Sequence, residues 1–208
     1  MKQRIFNLII LDESGSMERI KRATIDSVNE TLETIRSAER NFPEQEHLLS
    51  LVTFNDAGIK FKADCDPIEK VKRLRGRDFN PDCCTPLYDA MGRALNSLSG
   101  KVTKDDRVLV TILTDGLENS SREYNQADIR ALVSDLRERG WIFTYMGANQ
   151  DVAVVARGLS IGNAMAYEAT AEDVTEKMAC CNQKRMHLFE RINEADFSPE
   201  KENETFFD

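Results

Sequence analysis

Residues 3–16 have the sequence QRIFNLIILDESGS, and this stretch decides the predicted fold. Residues 3–11 are mostly apolar and rich in β-formers, which is typical of a strand buried on both faces of a parallel sheet. The apolar run stops at Asp12, and a short polar turn that contains Gly15 follows. From Glu18 to about Arg40, apolar and semi-polar residues recur at steps of three and four, as in an amphipathic helix. Strand, turn and helix form the first predicted unit.

The same alternation continues along the chain. Further strands are predicted at residues 48–54, 58–61, 107–114, 141–146 and, from a weaker pattern, 164–167. The first two of these are joined by a four-residue turn and should pair antiparallel. Helices are predicted from Pro86 onward and at residues 127–139, 152–157 and 171–191. Strands that alternate with helices predict an α/β protein with a doubly wound, parallel-rich sheet and helices on both faces.

The length of 208 residues is that of one ordinary domain, which we predict over residues 1–192. From Glu190 to Asp208 there are seven acidic and two basic residues. Residues 193–208 are therefore expected to form an acidic C-terminal tail that is loosely held, although Phe206 and Phe207 have the apolar character to dock.

The formal net charge of -8 is concentrated in the second half of the chain. Residues 1–104 have 17 basic and 16 acidic residues, whereas residues 105–208 have 11 and 20. This balance argues against non-specific binding to nucleic acid or an anionic membrane. No apolar run has the length of a membrane span, and the first one lacks a cleavage pattern. Five cysteines, four of them in adjacent pairs, favour reduced thiols, so a cytoplasmic location is expected.

Five oxygen-bearing side chains form the candidate functional site. Asp12, Ser14 and Ser16 occupy alternate positions of the turn after the first strand. Asp115 ends a second apolar strand, and Thr85 lies in a loop just before a helix. Because ligands of doubly wound sheets bind beyond the carboxyl ends of the strands, all five residues are expected at one edge. Carboxylate and hydroxyl oxygens suit a hard divalent cation such as Mg²⁺.

These residues resemble the metal-ion-dependent adhesion site (MIDAS) of the von Willebrand factor A family. The resemblance rests on Asp12-x-Ser14-x-Ser16, on Thr85 within Cys84-Thr85-Pro86-Leu87, and on Asp115 within Thr114-Asp115-Gly116. All five positions match in the right order, and the element order matches over roughly residues 3–190. By spacing, the chain is similar to small standalone bacterial or phage A domains.

The resemblance implies a sheet of six strands, five parallel and one short antiparallel strand at an edge. It also implies that Ser14, Ser16 and Thr85 supply hydroxyl ligands to Mg²⁺, with Mn²⁺ as a possible substitute, while Asp12 and Asp115 act directly or through water. A Glu or Asp side chain of another protein would complete the metal shell, so the chain would bind a partner and would not be an enzyme. In this family, movement of the metal ligands is coupled to the last helix, here residues 171–191.

Other readings of the same residues stay open. Ser and Asp favour helix N-termini, so Asp12, Ser14, Ser16 and Thr85 are also of the types that cap helices. A hydrolase or phosphotransferase that uses the same metal site is the alternative function. Neither histidine lies in a recognisable catalytic motif, however, and an aspartyl-phosphate enzyme would usually have an acid where this chain has Ser14. A structural protein with an idle pocket is the third class.

Three further features are interpreted with less support from the pattern. Glu118, Asn119 and Asn149, together with Gln150 and Asp151, follow strands at the same edge and are expected to line a partner-binding rim. The basic run of Lys70, Lys72, Arg73, Arg75 and Arg77 is read as a solvated helix face or, alternatively, as a patch for an acidic partner. Cys83 and Cys84 are expected to be buried, inert thiols, although their position before Thr85 would allow a redox effect on the site.

Overall fold

The structure, a computed structural model, describes residues 2–148 and 151–207. Within these residues the strands are β1 (Gln3–Asp12), β2 (Gln45–Asn55), β3 (Gly58–Pro67), β4 (Arg107–Thr114), β5 (Trp141–Gly147) and β6 (Asn163–Ala166). The helices are α1 (Lys21–Asn41), α2 (Leu87–Ser99), α3 (Gln126–Glu138), α4 (Val152–Gly158), α5 (Ala171–Arg191) and α6 (Pro199–Thr205). Short 3₁₀ helices span Gly15–Ile20 and Ile68–Lys70.

The six described strands form one sheet in the order β3-β2-β1-β4-β5-β6. Strand β1 pairs in parallel with β2 on one side and with β4 on the other. Strands β5 and β6 continue the parallel sheet, and β3 pairs antiparallel with β2 at the opposite edge. The predicted α/β fold is confirmed. The strand order reverses between β1 and β4, where Asp12 ends β1 and Asp115 directly follows β4.

Helices cover both faces of the sheet because alternate residues of its strands point to opposite faces. On one face, Ile9 and Leu11 of β1 pack in a cluster with apolar residues of α1 and α5. On the other face, Leu8 and Ile10 pack with apolar residues of α2, α3 and α4. Both clusters are buried, which explains why β1 reads as a nearly continuous apolar run.

Two segments differ from their prediction. Strand β3 has 10 residues and is longer than the predicted strand 58–61; its pairing with β2 shifts register between Ala63 and Asp66, where Cys65 has a φ of 56°. The basic run does not form a helix beyond Lys70. It continues as an irregular segment in which the amide of Asn29 accepts the Leu74 N–H at 2.8 Å and donates to the Leu74 carbonyl at 3.0 Å. This tertiary contact replaces the hydrogen bonds of a helix.

The C-terminal segment, for which a loosely held tail was expected, includes helix α6 in the structure. Helix α6 packs on β5 and α3, and Phe206 is buried. The side chain of Asn203 accepts the Phe143 N–H at 3.0 Å and donates to the Trp141 carbonyl at 2.7 Å. Strand β6 pairs only with residues 144–147 of β5, so this amide serves the part of β5 that has no strand beside it. Polar residues hold this acidic segment, which is why its composition indicated a tail.

Candidate functional site

Asp12 lies at the carboxyl end of β1 and is fully buried. Its Oδ1 accepts the Ser14 N–H at 2.7 Å, and its Oδ2 accepts the Thr114 hydroxyl at 2.5 Å. Burial raises the pKa of Asp12 to about 6, the hydrogen bonds from Thr114 and Ser14 oppose this rise, and the charge of Asp115 adds to it. Asp12 is thus a carboxylate held in one orientation by the strand that neighbours its own.

The hydroxyls of Ser14 and Ser16 connect the first loop to Asp115. The two Oγ atoms are 3.3 Å apart, and the Ser16 hydroxyl donates to Asp115 Oδ1 at 2.5 Å. Asp115 Oδ2 lies 3.7 Å from the guanidinium of Arg19, which belongs to the 3₁₀ helix after the serines. Burial raises the pKa of Asp115, while the contacts of Ser16 and Arg19 oppose the rise. Residues separated by about a hundred positions therefore share one oxygen-rich cluster.

Thr85 reaches the same cluster from the loop before α2. Its N–H donates to the side-chain oxygen of Asn119 at 2.8 Å, and its carbonyl accepts the Asn119 N–H at 3.2 Å. A Cβ atom at Gly116 would lie 3.2 Å from Thr85 Oγ1 and 3.8 Å from Ser16 Oγ. Gly116 thus lets the Thr85 hydroxyl approach the loop that carries Asp115. All five predicted residues come together at the sheet edge.

Helix capping does not account for these hydroxyls. Ser14 precedes the 3₁₀ helix Gly15–Ile20 but makes no side-chain capping hydrogen bond. Helix α2 begins after Pro86, so Thr85 lies one residue before the N-cap position. The Ser14 and Ser16 hydroxyls instead lie 3.3 Å apart, and the Ser16 hydroxyl donates to Asp115.

The residues predicted to line the rim have different places in the structure. The carboxylate of Glu118 accepts the N–H groups of Tyr88, Ser120 and Ser121, and it holds the loop after β4 against α2. Asn119 positions Thr85, as described above. Asp151 caps α4 by accepting the Val154 N–H at 3.1 Å. Asn149 and Gln150 lie outside the described residues.

Glu13 is a site residue that the sequence analysis missed. It is fully buried, and its Oε1 accepts the Asn80 N–H at 2.5 Å. The Glu13 carbonyl accepts the Asp82 N–H at 3.0 Å, and the Gly15 N–H donates to the Cys83 carbonyl at 3.1 Å. These bonds fix the loop of Thr85 against the first loop. The only signal in the sequence was the position of Glu13 inside the Asp12-x-Ser14-x-Ser16 motif. An acidic residue in a polar turn is usually expected to be exposed to solvent.

The five cysteines are free. Cys83 is exposed and Cys84 is partly buried, so the expectation of buried thiols before Thr85 is wrong. The reason is the turn itself: Cys83 has a φ of 60°, and its backbone rather than its side chain faces Gly15.

The donor set fits a hard divalent cation. Two carboxylates and three hydroxyls lie at this edge of the sheet, and all are oxygen donors of the kind that Mg²⁺ accepts. Among the described residues there is no group of three or more His, Cys, Asp or Glu side chains suited to a metal ion. The candidate site differs from such a group because it has only two carboxylates, and its other oxygen donors are hydroxyls.

No protein-family model matches the sequence, and no curated protein matches it either. Solved structures with a similar fold include the VWA domain of SpRpn10, with a TM-score of 0.57 and 10% identity over 86% of this chain and 95% of that one. The vWF domain of the type V pili tip protein Mfa5 from Porphyromonas gingivalis gives a TM-score of 0.64 and 10% identity over 95% of this chain and 100% of that one. The pilus adhesin SpaC from Lactobacillus rhamnosus GG gives 0.68 and 13%, over 91% of this chain and 30% of that one.

These likenesses confirm the resemblance at the level of the fold. The chain has the von Willebrand factor A fold, with the predicted site residues at the edge where the strand order reverses.

Proposed function

We propose that the chain is a protein-interaction module in which a bound Mg²⁺ ion takes a carboxylate of a partner protein. Asp12, Ser14, Ser16, Thr85 and Asp115 would hold the ion. The observation that carries the proposal is the contact of Ser16 with Asp115 at 2.5 Å, because it joins the two loops that hold the carboxylates.

The burial of Asp12 and Asp115 supports a cation at this place. Removing two carboxylates from water is unfavourable, and a bound cation would offset this cost. Hydroxyl ligands carry no formal charge, so an ion held mainly by Ser14, Ser16 and Thr85 would keep enough positive charge to attract an external carboxylate. Mn²⁺ prefers similar oxygen ligands and is expected to substitute.

The names of two proteins with this fold agree with a binding role. SpaC is described as a pilus adhesin and Mfa5 as a pili tip protein. The alternative, a hydrolase or phosphotransferase, has less support because neither histidine contacts Ser14 or Ser16. His47 hydrogen bonds with Gln45 at 3.0 Å, and His187 lies 3.6 Å from Glu190.

The cellular setting and the role of the last helix stay predictions. In the described part of the chain, no helix combines the length and apolar character needed to cross a membrane. The cytoplasmic location rests on the sequence. Helix α5 packs against α1, and its coupling to the metal site is implied by the resemblance alone.

Metal titration tests the proposal. Mg²⁺ or Mn²⁺ should raise the thermal midpoint of the wild type, since a ligand at one hundred times its Kd stabilises by about 2.7 kcal/mol. Asp115→Ala and Ser16→Ala should lose this response, and Asp105→Ala, an exposed acid away from the site, should keep it. Ser16→Ala removes one exposed hydroxyl and is the variant that should fold normally. A wild type without a metal response, or a Ser16→Ala response equal to the wild type, would refute the metal site.

Partner capture from a lysate tests the bridging role. A partner should be retained on the immobilised protein in Mg²⁺ and released by chelator. Equal retention in both conditions contradicts metal bridging.

A further inference from the structure

A groove of about 550 Å³ lies beside the predicted metal site, between the start of α1 and the segment Leu74–Gly76. The charged residues that line it are the cations Arg19, Lys21, Arg22 and Arg75 and the acids Glu18 and Asp26. Arg19 belongs to both places, since its guanidinium lies 3.7 Å from Asp115. The groove is therefore continuous with the site.

The cations of this groove are only weakly neutralised. Lys21 lies 3.7 Å from Glu18, and Arg22 lies 3.7 Å from Asp26, while the Arg22 side chain is 95% exposed. Exposed pairs at such distances contribute little. Arg75 is exposed and forms no ion pair within the described part of the chain. The groove thus has four cations against two acids, so it is positive in a protein with a net charge of -8.

The basic segment has a fixed position, which makes it suitable for recognition. Leu74 is buried, and its backbone bonds with Asn29 as described above. The guanidinium of Arg36 also donates to the Val71 carbonyl at 2.6 Å. The segment is therefore attached to α1 on both sides of Arg73, so its backbone does not need to be ordered when a partner binds.

We infer that this groove binds an acidic segment of the same partner protein whose carboxylate completes the metal site. The inference rests on the proposed function and names the partner chemistry. A chain with one carboxylate at the metal would continue past Arg19 toward Arg22 and Arg75. Arg19 and Arg22 are three residues apart across the junction of the 3₁₀ helix and α1, which is about 5 Å of helix rise, and an extended peptide rises about 3.3 Å per residue. Acidic residues two to five positions from the metal-binding carboxylate would therefore lie over the cations.

Nucleic acid is the other polyanion that a basic groove attracts. The acidic second half of the chain repels an extended phosphate backbone, whereas a short acidic peptide meets only the groove. A carboxylate at the metal and carboxylates in the groove also belong to one kind of ligand, which favours the peptide.

Two labelled peptides test the inference in saturating Mg²⁺ by fluorescence anisotropy. Both peptides have an amidated C-terminus: the acidic peptide is Gly-Glu-Gly-Glu-Asp-Glu-Glu-Gly, and the peptide called neutral, because its residues after the metal-binding Glu are uncharged, is Gly-Glu-Gly-Gln-Asn-Gln-Gln-Gly. The acidic peptide should bind about tenfold more tightly at low salt, and added salt should reduce the difference. The variant Arg22→Glu/Arg75→Glu should lose this preference. The control Arg130→Glu/Arg157→Glu changes the net charge equally at exposed positions of α3 and α4 and should keep it.

The peptides separate failure of the groove from failure of the metal site. Equal, measurable affinities for the two peptides overturn the groove, whereas no binding of either peptide overturns the metal site and, with it, the groove inference that rests on it. The groove is also overturned if Arg22→Glu/Arg75→Glu keeps the preference for the acidic peptide to the same extent as the control variant. Preferential binding of a single-stranded oligonucleotide of matched charge over the acidic peptide would overturn it as well. The neutral peptide has a single side-chain carboxylate, so its response to chelator reports on the metal site alone.

Discussion

Replacing Asn203 by alanine tests how the C-terminal helix is held. The Asn203 side chain is 1% exposed and forms hydrogen bonds with Phe143 N–H, the Trp141 carbonyl and, at 3.0 Å, the Pro199 carbonyl. Alanine would leave the first two groups on β5 without these partners. A buried polar group without a partner costs about 1–3 kcal/mol. For the two groups together the cost is about 2–6 kcal/mol. Because water can reach part of a loosened helix, we expect the free energy of unfolding to fall by the lower half of this range, about 2–4 kcal/mol. A domain has roughly 5–15 kcal/mol in total.

The assay is urea unfolding followed by circular dichroism and by the fluorescence of Trp141, the single tryptophan. Trp141 is buried next to Asn203, so its emission should also shift to longer wavelength in the native state. Glu204→Ala, an exposed neighbour on α6, is the matched control and should stay within about 0.5 kcal/mol of the wild type. Alanine is the better helix former, so propensity cannot explain a loss.

A second substitution attacks the same contact from the other side. A Cβ atom at Gly162 would lie 2.7 Å from the Asn203 carbonyl oxygen, a backbone atom that cannot rotate away. Gly162→Ala should therefore also destabilise the protein and shift the Trp141 emission. If Asn203→Ala and Glu204→Ala unfold at the same urea concentration and the emission is unchanged, α6 does not contribute to stability and the reasoning fails.

Two further predictions concern buried polar groups. Burial lowers the pKa of His47 to about 4, and repulsion from Arg185 adds to the shift. Between pH 4 and the unfolded pKa of about 6.5, the unfolded chain binds more protons than the folded protein, so the free energy of unfolding decreases as the pH falls. We therefore compare urea unfolding at about pH 7.5 and about pH 4.5. The decrease in the free energy of unfolding should be roughly 2–3 kcal/mol smaller for His47→Gln than for the wild type. Equal losses would contradict this. The Arg185 guanidinium is buried, donates to the Thr111 hydroxyl at 2.8 Å, and has no carboxylate within ion-pair distance among residues 2–148 and 151–207. Arg185→Met should leave the free energy of unfolding unchanged or raise it by about 1–3 kcal/mol, and a loss above about 2 kcal/mol would mean that the guanidinium is compensated after all.

The parts of the fold that were predicted correctly are those with a local apolar signal. Strands β1 and β4 are buried on both faces, so each is a mostly apolar run, and each leads to an aspartate at the sheet edge. The carboxyl ends of parallel strands meet at one edge, which is why Asp12 and Asp115 were expected together. Gly15 and Gly116 marked the turns between them.

The parts that were missed depend on contacts between distant polar residues. The irregular path of the basic segment depends on Asn29, which precedes Leu74 by 45 positions. The place of α6 depends on Asn203 and on Asn163, whose amide donates to the Glu202 carbonyl at 2.8 Å. The sequence contains the same residue type whether an asparagine lies in a loop, is exposed to solvent or bonds to a strand edge. Composition therefore could not distinguish these roles.

The sequence by itself determined the α/β class, the order of the elements and the five oxygen donors at the edge, because burial periodicity and the turn residues between strands are local properties of the chain. Only the tertiary structure decided how the donors are oriented. Glu13 fixes the loop of Thr85, and Asn119 positions the Thr85 backbone. Arg19 contacts Asp115 and also lines the basic groove. These roles arise from distances between loops, and a distance across a fold is set by packing that no local pattern contains.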